Sequence, residues 1–287
     1  MAESSQLTQH IESFVNLSTS PAHQAASLDA IVSSSTNNAL TVETLVREMG
    51  MYLTTTDDVI RARGILLLGE LLTRLDSKPL DDATVHSLIA FFTDRLADWK
   101  ALRGALVGCL ALVRRKSSGG VVTANDAKAV VQSYIQNLQV QSLAQHDRKL
   151  CFELLECLLQ RYPDAVASLG EDLLYGICEA IDGEKDPHCL MLTFRIIEVV
   201  ARLFPDDLLG NFAGDLFEIL GCYFPIHFTH PTGEDFDVRR RDDLSRALMV
   251  AISSTPLFEP FAIPLLLGKL SSSLQSAKVD FLKYLSN

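Results

Sequence analysis

Three side chains in this sequence have the types and spacing to hold a metal. Cys222, His227 and His230 form a Cys-x4-His-x2-His run, with Asp235 and Asp237 close behind. A thiolate and two imidazoles are suitable donors, but a closed tetrahedral site needs four ligands and no fourth Cys or His lies nearby. Two readings stay open: a metal- or cluster-carrying centre on Cys222, His227 and His230, or loop histidines beside a buried cysteine. The six cysteines, Cys109, Cys151, Cys157, Cys178, Cys189 and Cys222, sit mostly inside apolar helical patterns and include no CxxC pair. Reduced, buried thiols of an intracellular protein are the plain expectation. Cys151 and Cys157 are six residues apart, so on a helix they do not face each other and make no two-ligand site.

A second constellation is electrostatic. Arg239, Arg240 and Arg241 are the densest basic run, suited to an acidic peptide or phosphate, but Asp237, Asp242 and Asp243 flank and offset them, and a solvated helix start is the favoured reading. Just before them, Tyr223–Val238 (YFPIHFTHPTGEDFDV) is long for a connection, and its Phe224, Ile226, Phe228 and Phe236 predict an ordered, packed loop. Ordered loops of this kind often receive partners. The candidate partner-binding residues are therefore Phe228, His230, Arg239, Arg240 and Arg241; the competing reading is a loop that seals a gap between neighbours. Nucleophile elbows, Walker loops, Rossmann glycine patterns and HExxH are all absent, so no catalytic residue and no cofactor is assigned.

Positioning falls to helices. Asp57–Leu75 places Ile60, Gly64, Leu67, Leu68, Leu71 and Leu75 at one-face spacing. Val59, Ala62, Ile65, Leu66 and Leu72 widen that face, so the helix needs helices on more than one side. Similar segments recur. Arg61, Arg103, Arg148 and Arg241 correspond; three residues on come Gly64, Leu106, Cys151 and Leu244, and after seven Leu68, Leu110, Leu155 and Leu248. Spacings of roughly 37 to 51 residues match two-helix HEAT-type units. The expected fold is an all-α HEAT-repeat α-solenoid of about seven helical hairpins. It is read as a single domain over 1–287, with a weak first repeat at 1–35 and the inserted loop at 223–238. An Arg at the shared position, with an acid such as Asp58 just before it, suggests a polar ladder; a solvated Arg is the alternative. Asp182-Gly183 lies between helical patterns and reads as a loop, not a hairpin.

The net charge of −11 argues against a general phosphate-binding surface, hence against direct nucleic-acid binding. No apolar run approaches the ~20 residues of a bilayer helix. The first residues have no signal-peptide pattern. Ser276–Ser286 ends on the apolar face of Val279, Phe281, Leu282 and Leu285, which predicts that this is the N-terminal part of something longer, or a shortened variant.

The segment GCYFPIHFTHPTGEDFDVRRRDDLSRAL and the following STPLFEPFAIPLLLGKLSSSLQSAKVDFLKYL resemble the N-terminal domain of the Mms-nineteen (Met-eighteen) family. RARGILLLGELLTRL, LADWKALRGALVGCLALVRRK and GEKDPHCLMLTFRIIEVVARLFP agree, so the resemblance runs from Ile31 to the end. It implies a non-enzymatic HEAT scaffold of the cytosolic iron–sulfur protein assembly (CIA) targeting complex. Implied partners are a β-propeller subunit, a small acidic-motif adaptor and apo iron–sulfur clients of DNA metabolism: helicases, including that of the transcription/repair factor, polymerases, primase and nucleases. Roles in DNA repair, transcription and genome stability follow from it, as does action in cytoplasm and nucleus. The family's C-terminal repeats, understood to dock the other targeting subunits, are not in this sequence.

Overall fold

The computed structural model describes residues 2–116, 119–226 and 234–270, with side chains outside 2–4, 234–240 and 270. Among them are fifteen α-helices, two short 3-10 turns and no strand. The all-α, hairpin-repeat class expected from the spacing is therefore the observed one. The chain divides into two compact units, Met1–Leu138 and Gln139–Asn287, taken in turn.

In the first unit α1 (Ala2–Val15) pairs with α2 (Pro21–Thr36), α3 (Val42–Thr54) with α4 (Asp58–Arg74), and α5 (Asp82–Arg95) with α6 (Leu102–Val113); α7 (Ala124–Asn137) packs on α5. Asp57 starts α4: its carboxylate accepts from the backbone N–H of Val59 and Ile60 at 2.9 and 3.0 Å, satisfying donors a helix start leaves free. Ile65, Leu67, Leu68 and Leu71 are fully buried. Val59 and Ile60, expected on the buried face, are exposed. Helix α4 lies against α6 so closely that a Cβ on Gly104 would stand 2.6 Å from the Leu66 nitrogen, and one on Gly69 would stand 3.0 Å from the Gly104 oxygen. The glycines of RARGILLLGELL and LRGALVGCL let two backbones meet.

The second unit contains α8 (Gln145–Arg161), α9 (Pro163–Ala167), α10 (Glu171–Ile181), α11 (Pro187–Leu203), α12 (Asp206–Leu209), α13 (Ala213–Gly221), α14 (Glu234–Ile252) and α15 (Glu259–Leu270). Helix α11 packs on both α8 and α14. Two stretches with helical patterning are broken in the chain. Asp164–Ile181 is interrupted at Gly170, whose φ of 58° is left-handed backbone that ends α9 and opens α10. Asp206–Cys222 is likewise split between α12 and α13. The stretch Ser276–Ser286 lies outside the described residues.

Side-chain bonds between successive hairpins repeat the sequence period. Arg61 to Asp98 spans 37 residues, Arg148 to Glu184 36, Arg115 to Leu75 40, Ser133 to Thr93 40 and Gln141 to Ala180 39. A fold in which each hairpin meets mainly its neighbour has this signature.

Candidate functional site

The best-defined polar constellation runs through three successive connections of the second unit. Arg148, near the start of α8, donates through Nε and Nη2 to the Glu184 carboxylate at 2.8 and 2.9 Å, and through Nη1 to the Leu143 carbonyl at 3.0 Å. Glu184, in the α10–α11 connection, also accepts from the backbone N–H of Lys185 and Asp186 at 2.8 and 2.9 Å. Its side chain has no solvent exposure. Burial pushes this carboxyl up, but the Arg148 hydrogen bonds and the two backbone donors outweigh that and hold it below the usual glutamate range. One hairpin on, the Tyr223 hydroxyl donates to the Glu184 carbonyl at 2.8 Å, and its ring meets Phe194 edge-on at 5.7 Å. Burial, with Glu184 and Asp182 adding to it, pushes the Tyr223 phenol up to about 12.

The same device appears in the first unit. Arg61 donates to Asp98 and Asp58, both at 2.7 Å, and to the Thr55 carbonyl at 2.9 Å. In each unit, then, an Arg of a second helix ties its own turn to the turn one repeat ahead. The ladder expected at this position exists at Arg61 and Arg148, which are not simply solvated arginines. Asp58, expected as partner, shares Arg61 with Asp98; at Arg148 the acid lies wholly in the next connection. That forward acid was missed, although 36- and 37-residue spacings to Glu184 and Asp98 match the repeat period.

Tyr223–Ile226, which opens the inserted connection, is a packed anchor. Phe224 and Ile226 are buried. Phe228 and His230 lie outside the described residues, as does His227. Arg239, Arg240 and Arg241 all fall within α14, and Arg241 is half-buried. Cys222, expected buried, is exposed in the turn that ends α13, while Cys109, Cys151, Cys157 and Cys189 are buried. Burial pushes the Cys109 and Cys189 thiols up to about 12 and Cys151 higher still, which keeps them protonated and poor as ligands. Among the described residues no three His, Cys, Asp or Glu side chains converge as a metal site would require. In the first unit Trp99 is 75 % exposed, with the Lys100 ammonium 3.9 Å from its ring centre.

A family model described as "Dos2-interacting transcription regulator of RNA-Pol-II", the N-terminal MMS19 model, matches residues 46–287. The chain belongs to the MMS19 family. An Arabidopsis thaliana relative named "MMS19 nucleotide excision repair protein homolog" is 58% identical over 289 residues, covering 100% of this chain and 25% of its own length. Relatives of the same name are 34% identical in Homo sapiens over 92% of this chain, and 30% identical in Dictyostelium discoideum over 98% of it. The chain spans about a quarter of the length of these curated MMS19 relatives. Within this MMS19 chain, the YFPI segment that carried the resemblance is the anchor that Glu184 and Phe194 hold.

Proposed function

We propose that this chain is a non-enzymatic protein-binding arm of an MMS19-type scaffold that serves iron–sulfur protein assembly. In this reading it contacts apo iron–sulfur clients of DNA metabolism, among them the helicase of the transcription/repair factor, in cytoplasm and nucleus. Its part in DNA repair and transcription, the roles in its relatives' names and family description, follows from keeping those clients supplied with clusters. The single observation that carries the reading is family membership across the repeats, the Tyr223–Ile226 anchor included. The internal arrangement supports it. Arg61 and Arg148 are turned inward to tie hairpins together, and the buried thiols are held protonated. A helical array stiffened in this way displays surface, which is what a scaffold needs.

The test is capture of purified apo-helicase clients on the immobilised 287-residue chain. Retention of a client, competed by the soluble chain, is the expected result. Failure to retain any client, together with failure to retain the β-propeller subunit or the acidic-motif adaptor, would overturn the assignment.

A further inference from the structure

In the first unit α1, α2, α3 and the α2–α3 connection line a cavity of about 310 Å³. Each helix turns residues one turn apart toward it: Gln6 and His10, Ile31 and Ser34, Thr44 and Glu48. The wall between α2 and α3 is fixed by hydrogen bonds on both sides. The Ser34 carbonyl accepts the backbone N–H of Ala39 and Leu40 at 3.1 and 3.2 Å, and Lys78 Nζ donates to the Leu40 carbonyl at 3.3 Å. Ile31, 1 % exposed, and Leu40 give the cavity an apolar side. His10, Thr44 and Glu48 are half-buried. Among the described residues the side chains of Gln6, His10, Ser34 and Glu48 hold no hydrogen bond or ion pair, with one another or with any other group. Polar groups taken part-way out of water cost free energy until something supplies their bonds. Of the described residues lining the cavity, Glu48 is the one with a fixed charge, and no lysine or arginine stands beside it.

We propose that this cavity binds a primary ammonium on an aliphatic stem, as carried by a free alkylamine or by a lysine side chain. An ammonium has three N–H donors and no acceptor, so it needs a set of acceptors around one point. The lining offers the Glu48 carboxylate and, as neutral acceptors, the hydroxyls of Ser34 and Thr44 and the amide oxygen of Gln6. Thr44 Oγ1 accepts from Thr41 Oγ1 at 3.1 Å, which leaves it a second lone pair. A charge-assisted bond to a half-buried carboxylate is stronger than one between neutral groups. The stem lies along Ile31 and Leu40, where leaving water adds to binding. An anion finds no lysine or arginine on the lining to hold it. A metal ion needs a third donor, and no three His, Cys, Asp or Glu side chains converge among the described residues. The volume is at the small end of ligand pockets and fits one such group. This site does not rest on the client-binding reading.

The test titrates n-hexylamine into the full chain and follows the methyl groups of isoleucine and leucine by NMR. Expected is saturable binding with a Kd of about 1 mM, the scale of a ligand with so few atoms. The shifts should centre on Ile31 and Leu40 of the unaltered chain. n-Hexanol, which keeps the stem and loses the charge, should bind about tenfold more weakly, and hexanoate should not bind. Glu48→Gln should weaken hexylamine about tenfold. Glu43→Gln removes the same charge from the same helix outside the cavity and should stay within about twofold of the parent. Circular dichroism and thermal melts of both variants confirm that the fold is retained. A blocked Gly-Lys-Gly peptide forms the second arm. If it binds more tightly than hexylamine, the ammonium comes from a protein lysine; if more weakly, from a free amine. No saturation by either ligand, equal affinity for hexanol, an equal loss in Glu43→Gln, or shifts spread away from Ile31 and Leu40 would each overturn the proposal.

Discussion

Replacing Arg148 with methionine tests the polar line directly. The change keeps the aliphatic stem but removes two of the four hydrogen bonds that the Glu184 carboxylate receives, at 2.8 and 2.9 Å. Glu184 has no exposed side-chain surface and Arg148 only 17%. Taking one partner from a buried ion pair costs about 3–5 kcal/mol, since the remaining charge keeps its desolvation penalty. Two backbone donors still face the carboxylate, so the lower end, about 3 kcal/mol, is the expected loss. Arg202 supplies the comparison. It pairs with Glu198 at 2.7 Å one helical turn away, but is 66% exposed, so Arg202→Met should cost about 0.5 kcal/mol. The assay is urea unfolding followed by far-ultraviolet circular dichroism, with midpoints and slopes compared. Arg148→Met/Glu184→Gln should fall short of the summed single losses by about 1–3 kcal/mol. If Arg148→Met cost no more than Arg202→Met, the inward network would carry no stability and the ladder would be an incidental contact.

Leu68→Asp, at a fully buried position of α4, should unfold the first unit in thermal melts by burying an unpaired carboxylate worth several kcal/mol, while Arg74→Ala, losing only an exposed pair with Asp29, should change stability by under about 1 kcal/mol. Gly104→Ala should lower the melting temperature at a cost of about 1–3 kcal/mol, because the added methyl meets the α4 backbone rather than a movable side chain. Glu184 is held below the ordinary glutamate value of 4.5, so its contribution is complete above that pH in the folded chain and is lost as pH falls through its depressed value. The Glu184→Gln variant should therefore show a shallower acid decline than the parent in midpoint-versus-pH measurements. A maleimide should label Cys222 in the native chain and reach Cys109 and Cys151 only after denaturation, as read by mass spectrometry.

Composition and periodicity alone determined that this chain is helical, where most helices begin, and that they recur at the HEAT interval. Those properties are local: a cap acts over about three residues and an apolar face over a few turns, so both can be seen in a short window. Leu67, Leu68 and Leu71 lie on the buried face for that reason, and Asp57 caps α4 for the same one. Tertiary structure alone decided that Arg148 closes on Glu184, that Tyr223 is an anchor on the Glu184 carbonyl, and that Val59, Ile60 and Cys222 are left in solvent. It also decided that His10 of α1 and Glu48 of α3 line one cavity. Each of these depends on residues roughly a full repeat apart. Which atoms meet across that distance is set by the breaks at Gly170 and between α12 and α13, and by how closely the helices pack, neither of which a single helix's pattern encodes.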